Sequence, residues 1–324
     1  MKELNKFFIV VLLVFPALVI AATDIEEAKA LLSKMHKAAH MQNYKGTFVY
    51  GQNNKLSTMK IIHSVDANGE RERLVSMDGT GREVIRNKNS VTCILPDKKS
   101  VVVEKSRPST NFPPAFPMAI ESLVENYTFK VSEQSYVAGR KVQKLEILPK
   151  DKYRYGHNIW VDSEKGLLLK TNLVDQDGEA IETFMFTSVS FLDSVPEKLL
   201  TPTISGKNFT WYEADEPDDV EEKHTAKWQV KNMPSGFKED MMRQHKMPVS
   251  KSPMDHMVIS DGLASVSVFI EQKEGNNSNM IGGSRMGAVN AHRRVMDNYY
   301  VTVVGEVPQS TVRLICESVT PVVK

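Results

Sequence analysis

The sequence predicts an α+β protein built mainly of short antiparallel strands. Three observations carry that expectation. Residues 154–186 read as three strands joined by two tight turns, one at Gly166 and one at Asp177-Gly178. Residues 44–104 repeat strand-length runs broken by turn clusters such as Asp66-Ala67-Asn68-Gly69. Two amphipathic stretches, one near each end, keep a helical period instead.

The N-terminus reads as a secretory signal. Lys2 and Lys6 precede an apolar run from Phe7 to Ile20, and Ala21-Ala22 offers small residues for cleavage. That run is about 14 residues, short of the roughly 20 that a membrane span needs. The expected division is a signal at 1–22, a first domain at 23–195, a linker at 196–207 and a second domain at 208–324. Forty-one basic residues against 40 acidic ones give a net charge of +1, so no basic field points to nucleic acid. Cys93 and Cys316 do not make a disulfide scaffold, so an apolar core must hold the fold together. They read as lone buried thiols rather than a bridge.

Thr23 to Glu26 fits a capping box, and Ile25, Ala28, Leu32, Met35 and Ala39 fall on one helical face. His36 and His40 have a spacing that two metal ligands could use. Lys37 stands where a zinc protease would carry glutamate, so exposed helix histidines are the expectation. The run Arg71-Glu72-Arg73 reads as a solvated strand face. Residues 107–119 carry Pro108, Pro113, Pro114 and Pro117 with Phe112, Phe116 and Met118. They form either a loop packed on the core or a lid over an apolar cavity. A short helix at 120–126 and strands at 127–131, 134–137 and 141–148 follow.

After residue 191, Pro196, Pro202, Ser205 and Gly206 mark a linker. The second domain shows strand candidates at 209–212, 228–230, 256–260, 263–272, 287–289 and 299–305. Its last helix begins at Pro308 and places Val312, Ile315, Cys316 and Val319 on one face. Residues 282–287 read as a flexible glycine-rich loop. Met241, Met242, His245, Met247, Met254, His256 and Met257 could bind Cu(I), but read better as an adaptable packing segment. No catalytic set, cofactor motif or metal site emerges, so the chain does not read as an enzyme.

Several motifs in order resemble the MucB/RseB family, periplasmic negative regulators of the envelope-stress sigma factor. In the first domain they are Met77-Asp78-Gly79, Arg82-Glu83-Val84, Arg154-Tyr155, Ile159-Trp160-Val161-Asp162 and Asp175-Gln176-Asp177-Gly178-Glu179. In the second they are Met233-Pro234-Ser235-Gly236-Phe237, Ser260-Asp261-Gly262-Leu263 and residues 301–308. The resemblance implies a curved, half-open antiparallel β-barrel with covering helices, like lipoprotein carriers, and a smaller C-terminal α/β domain. It implies a periplasmic protein that binds the periplasmic domain of a membrane anti-sigma factor of the RseA/MucA type. It would shield that partner from proteolysis until lipopolysaccharide or lipoprotein acyl chains release it, with residues 196–206 as the hinge. Lipid contact is expected at Phe112, Phe116, Met118, Trp160, Phe184 and Phe186. Partner contact is expected at Met254, Met257, Ser260, Asp261 and Gly262. A lipid or lipoprotein carrier is the alternative, and a homo-oligomer stays open.

Overall fold

The structure is a computed structural model. It describes residues 17–106, 116, 120–213, 227–246, 253–273 and 281–322. Phe112, Met118, Met247 and most of the expected signal lie outside the described residues.

Helix α1 (Ala17–Met41) runs through Thr23, so the expected capping box does not mark its start. In the uncut chain the N–H groups there have carbonyls one turn upstream. Ala28, Leu31, Leu32 and Met35 form its buried stripe. Then follow β1 (Tyr44–Gln52), β2 (Lys55–Asp66), β3 (Gly69–Ser76), β4 (Glu83–Arg86), β5 (Ser90–Leu95) and β6 (Ser100–Lys105). After a 3₁₀ turn at Ile120–Ser122 come β7 (Tyr127–Val137), β8 (Arg140–Pro149), β9 (Gly156–Asp162), β10 (Leu168–Val174) and β11 (Ala180–Phe191). The two strands expected between 127 and 137 are one strand, broken in register between Ser132 and Gln134. A short α2 (Glu197–Leu200) leads to β12 (Thr210–Glu213).

All twelve strands make one sheet in the order β12-β6-β5-β4-β3-β2-β1-β11-β10-β9-β8-β7. Its ends, β12 and β7, do not pair, so the sheet stays open, as expected of a half-open barrel. One core cluster lies under α1 and holds Phe129, Leu145, Ile147, Ile159 and Val161. A second holds Tyr44, Phe48, Ile61, Phe184 and Phe186, with the Phe48 and Phe184 rings 4.9 Å apart.

Three expectations fail in this half. β12 pairs in parallel with β6, so residues 210–213 extend the first sheet rather than the second. The charged strand is not a wet face: Glu72 and Arg73 are both buried. The linker is not a loose hinge either. Arg73 donates Nε to Glu83 Oε2 at 3.0 Å and NH1 to the Leu199 carbonyl at 3.0 Å. The Glu83 carboxylate accepts the Thr203 N–H at 3.1 Å and also its hydroxyl. Alternation along β3 puts Arg71 and Arg73 on one side and Glu72 on the other, and both sides are covered.

The smaller half pairs β13 (Trp228–Val230) with β20 (Val319–Pro321). Its six-stranded sheet has the order β14-β15-β16-β19-β18-β17. The strands are β14 (Lys238–Lys246), β15 (Pro253–Ser260), β16 (Ser265–Gln272), β17 (Gly282–Met286), β18 (Val289–Met296) and β19 (Tyr299–Gly305). Helix α3 (Gln309–Ser318) seals one face, with Val312, Ile315 and Cys316 buried against Val301 and Val303. Residues 282–287 are therefore largely an edge strand, not a free loop. Cys93 and Cys316 form no bridge.

Candidate functional site

The chemistry of this molecule concentrates at the joint between its halves. Arg154 enters from the turn before β9 and is 0% exposed. Its Nε donates to Asp261 Oδ2 at 2.8 Å, its NH1 to Asp151 Oδ2 at 2.8 Å, and its NH2 to the Ser235 carbonyl. The guanidinium lies over the rings of Phe237 (4.9 Å) and Tyr127 (5.5 Å). Tyr127 completes the knot by donating its hydroxyl to Asp261 Oδ2 at 2.9 Å. Burial first, then the Asp261 charge, pushes that phenol well above its ordinary pKa.

Asp261 is spoken for on both oxygens. Oδ1 accepts the N–H groups of Leu263 (2.9 Å) and Ala264 (2.7 Å), which fixes the β15–β16 turn. That turn rests on the first half: Leu263 joins the cluster under α1, and a Cβ at Gly262 would lie 3.6 Å from Leu123. Gly236 meets the same surface with φ +80°, and a Cβ there would come within 2.2 Å of Asn126 Nδ2. Glycine is thus required on both geometric counts.

A second contact zone lies further along. Asn290 donates Nδ2 to the Tyr155 hydroxyl at 3.0 Å, and Thr311 donates to the Tyr153 carbonyl at 2.7 Å. Tyr155, Leu173 and Ala288 pack together between the halves. Glu182 accepts the Tyr50 hydroxyl at 2.7 Å and the Ala288 N–H at 3.3 Å. Beside these contacts opens a cleft of about 680 Å³. The first half lines it with Asp175 and Asp177, the second with Arg285, His292 and Arg313. Acid faces base across it.

A smaller cavity of about 310 Å³ holds His157 and Glu306. Burial, opposed weakly by Asp261, lowers the His157 pKa to about 4. Burial and then Glu182 raise the Glu306 pKa to about 7, although its outer side stays open to solvent. The two have opposite consequences. His157 stays neutral while an unfolded histidine protonates, so its contribution is lost as pH falls from about 6.5 to 4. Glu306 holds its proton longer than in the unfolded chain, so its contribution is lost as pH rises from about 4.5 to 7. Urea melts of Glu306→Gln should therefore fall more steeply in stability than the native chain as pH drops through this window. Parallel pH profiles would contradict that assignment.

The expected site residues divide. Asp261, Ser260 and Gly262 share the β15–β16 turn at the joint, where Asp261 is buried against the first half, Ser260 is half-buried and Gly262 stays exposed. Met257 is 1% exposed in the second core, and Met254 is half-buried on β15. The methionine-histidine segment is split by its strands: Met242 opposes Met257 on the core, while His256 stacks on Phe269 at 4.5 Å. Phe184 and Phe186 are buried in the second core cluster, and Phe116 packs edge-on to His157 at 5.3 Å. Trp160 opposes Lys144 and Lys170, which both sit over its ring. Phe184 falls in the neighbouring row with Thr171 and Ile159, on the other face of the sheet. Arg154 and Tyr127, the centre of the joint, carried no chemical signal in the sequence; a lone arginine before a strand is commonplace.

Comparison with known proteins gives this joint a context. Residues 27–204 match the family model for the MucB/RseB N-terminal domain, and residues 222–320 match that for its C-terminal domain. The chain belongs to the MucB/RseB family. It is 31% identical to the sigma factor AlgU regulatory protein MucB of Pseudomonas aeruginosa, over 96% of either chain. It is 25% identical to the sigma-E factor regulatory protein RseB of Escherichia coli K12, over 90% of this chain and 89% of that one. A crystal structure of MucB in complex with MucA(peri) superposes with a TM-score of 0.70 at 28% identity, covering 92% of this chain and all of that one. A crystal structure described as MucB gives 0.60 at 27% identity, over 92% of this chain and 98% of that one. These relatives are regulatory binding proteins, not enzymes. Among the described residues no helix is long and apolar enough to cross a membrane.

Proposed function

We propose that this protein works in the periplasm, after removal of residues 1–22, as a guard of a membrane anti-sigma factor of the RseA/MucA type. It binds the periplasmic domain of that factor and shields it from regulated proteolysis, holding down the envelope-stress response. Lipopolysaccharide or a lipoprotein acyl chain releases it. The observation that carries the reading is the cleft shared by the two halves, lined by Asp175 and Asp177 on one side and Arg285 and Arg313 on the other. Such a cleft exists in one arrangement of the halves and is lost in another. A peptide that fills it favours the closed arrangement. An acyl chain that enters the first half must repack the Phe48–Phe184–Phe186 cluster, beside the strand that carries Glu182 to the joint. Each ligand then weakens the other by a reciprocal coupling, typically about 1–3 kcal/mol.

The test is protease protection and affinity with the periplasmic fragment of the anti-sigma partner. Arg285 and Arg313 are exposed, so reversing both to glutamate spares the core. The double variant should bind about tenfold more weakly or worse, and lipopolysaccharide should lower the affinity of the native chain. Unchanged affinity in the double variant would remove the cleft from the partner site.

A further inference from the structure

Among the described residues each large sheet ends in strands with a single neighbour: β12 and β7 in the first, β14 and β17 in the second. Such a strand leaves a row of backbone N–H and C=O groups without a ladder partner. β14 is guarded by Lys238, Glu239, Asp240 and Arg243 and by a break in register between Glu239 and Met241. β17 (GGSRM) keeps an unbroken register with β18 and carries its charge on Arg285. It also borders the shared cleft, where Gly283, Ser284 and Arg285 form part of the wall.

The turn fixes which groups are free. Gly287, at φ +65°, and Ala288 make the two-residue turn between β17 and β18, of the kind that takes glycine first. Met286 and Val289 flank that turn and exchange both of their backbone hydrogen bonds. Alternation then turns the backbone groups of Ser284 toward β18 and those of Gly283 and Arg285 outward. Side chains follow the same period. A Cβ at Gly283 would lie 2.6 Å from the Gln309 amide on α3, so position 283, and with it Arg285, faces the α3 side of the sheet. Arg285 donates Nε to the Gly287 carbonyl at 2.9 Å, and Arg313 lines the same cleft from α3. Neither guanidinium has a carboxylate partner among the described residues. On the opposite wall Asp175 has Oδ1 bonded to the N–H groups of Asp177 and Glu179, at 3.0 Å each. On the other face of β17, Met286 is 74% exposed.

We propose that β17 receives an extended, acidic segment of the partner as a further strand of the second sheet. The inference rests on the cleft as the partner site and adds how the chain is held there. Main-chain bonds to Gly283 and Arg285 supply affinity, and alternate side chains supply choice. Acidic residues at every second position meet Arg285 and Arg313, and an apolar residue between them covers Met286. A run of five residues, at about 3.3 Å each, matches the length of β17.

Residue-resolved hydrogen exchange by NMR reads this directly, on the native chain alone and with the periplasmic fragment of the anti-sigma partner. In the complex the Gly283 and Arg285 N–H groups should exchange at least about tenfold more slowly, and those of Ser284 and Met286, already bonded to β18, should change less. Gly283→Pro removes one outward donor at an edge position that tolerates proline, and should weaken binding about tenfold. The nearest atoms to a Cβ there all belong to the flexible end of Gln309, and circular dichroism checks the fold. Suppose the fragment binds and the double reversal of Arg285 and Arg313 weakens it, yet both outward N–H groups exchange as fast as in the free chain. The added strand is then overturned and the cleft stands. Native affinity in a folded Gly283→Pro variant would overturn it equally. A fragment that does not bind at all removes both readings.

Discussion

Arg154→Met should destabilise the protein by about 3–5 kcal/mol, the usual result of removing one partner from a buried ion pair. The cost is mostly what stays behind. Asp261 keeps a fully buried carboxylate with no counter-charge on Oδ2, which is left with the Tyr127 hydroxyl alone, and the Ser235 carbonyl loses its donor. The loss falls on the joint, so the halves should also lose their cooperative melting. Urea unfolding should split into two transitions, and scattering should report a larger radius of gyration before the first. Asp261→Asn in the same background removes the stranded charge. The double variant should then lose less than the sum of the single ones, by about 0.5–3 kcal/mol of coupling. A single transition at the native midpoint would mean that the knot does not join the halves.

The joint also explains what was legible in the sequence. Arg154-Tyr155, the run from Met233 to Phe237 and Ser260-Asp261-Gly262 were each too short to mean anything alone. Folding brings all three to one place. They carry the resemblance to the family, and within the molecule they contact each other. Asp261 is an expected partner contact, and inside the molecule it meets Arg154 and Tyr127. Chemistry flags a polar turn, but it does not say which surface the turn meets.

Strands with strong alternation were readable to within a few residues, as in β9 to β11, because one buried face writes its period into the chain. Two of the misses share a cause. β14 (KEDMMRQHK) and β17 (GGSRM) are edge strands at the two ends of their sheet, each with one neighbour. They need few apolar residues, so no period marks them. The charged run on β3 misled for the opposite reason. Arg73 and Glu72 are buried because each found a counter-charge on another strand, and pairing across strands is invisible in one sequence.

Glu83→Ala is expected to cost about 3–5 kcal/mol on the same principle, but at the other end of the first half. Arg73 and Glu83 have side chains 9% and 1% exposed, and together they hold Leu199 and Thr203 against the back of β3 and β4. Burial alone would raise the Glu83 carboxyl; Arg73 and both donors of Thr203 outweigh it and hold the pKa below its ordinary value. A depressed acid contributes stability above its unfolded pKa, near 4.5, and that share is lost as pH falls through the lower, folded value. Glu83→Ala should thus lose less relative to the native chain in strong acid than at neutral pH. Hydrogen exchange reads the local effect: the Thr203 N–H should exchange slowly in the native chain and fast in the variant. Slow exchange in both would mean that other contacts pin residues 196–207. If the latch holds as drawn, this segment cannot be the pivot between the halves. The coupling proposed between lipid and partner then passes through the joint at Arg154.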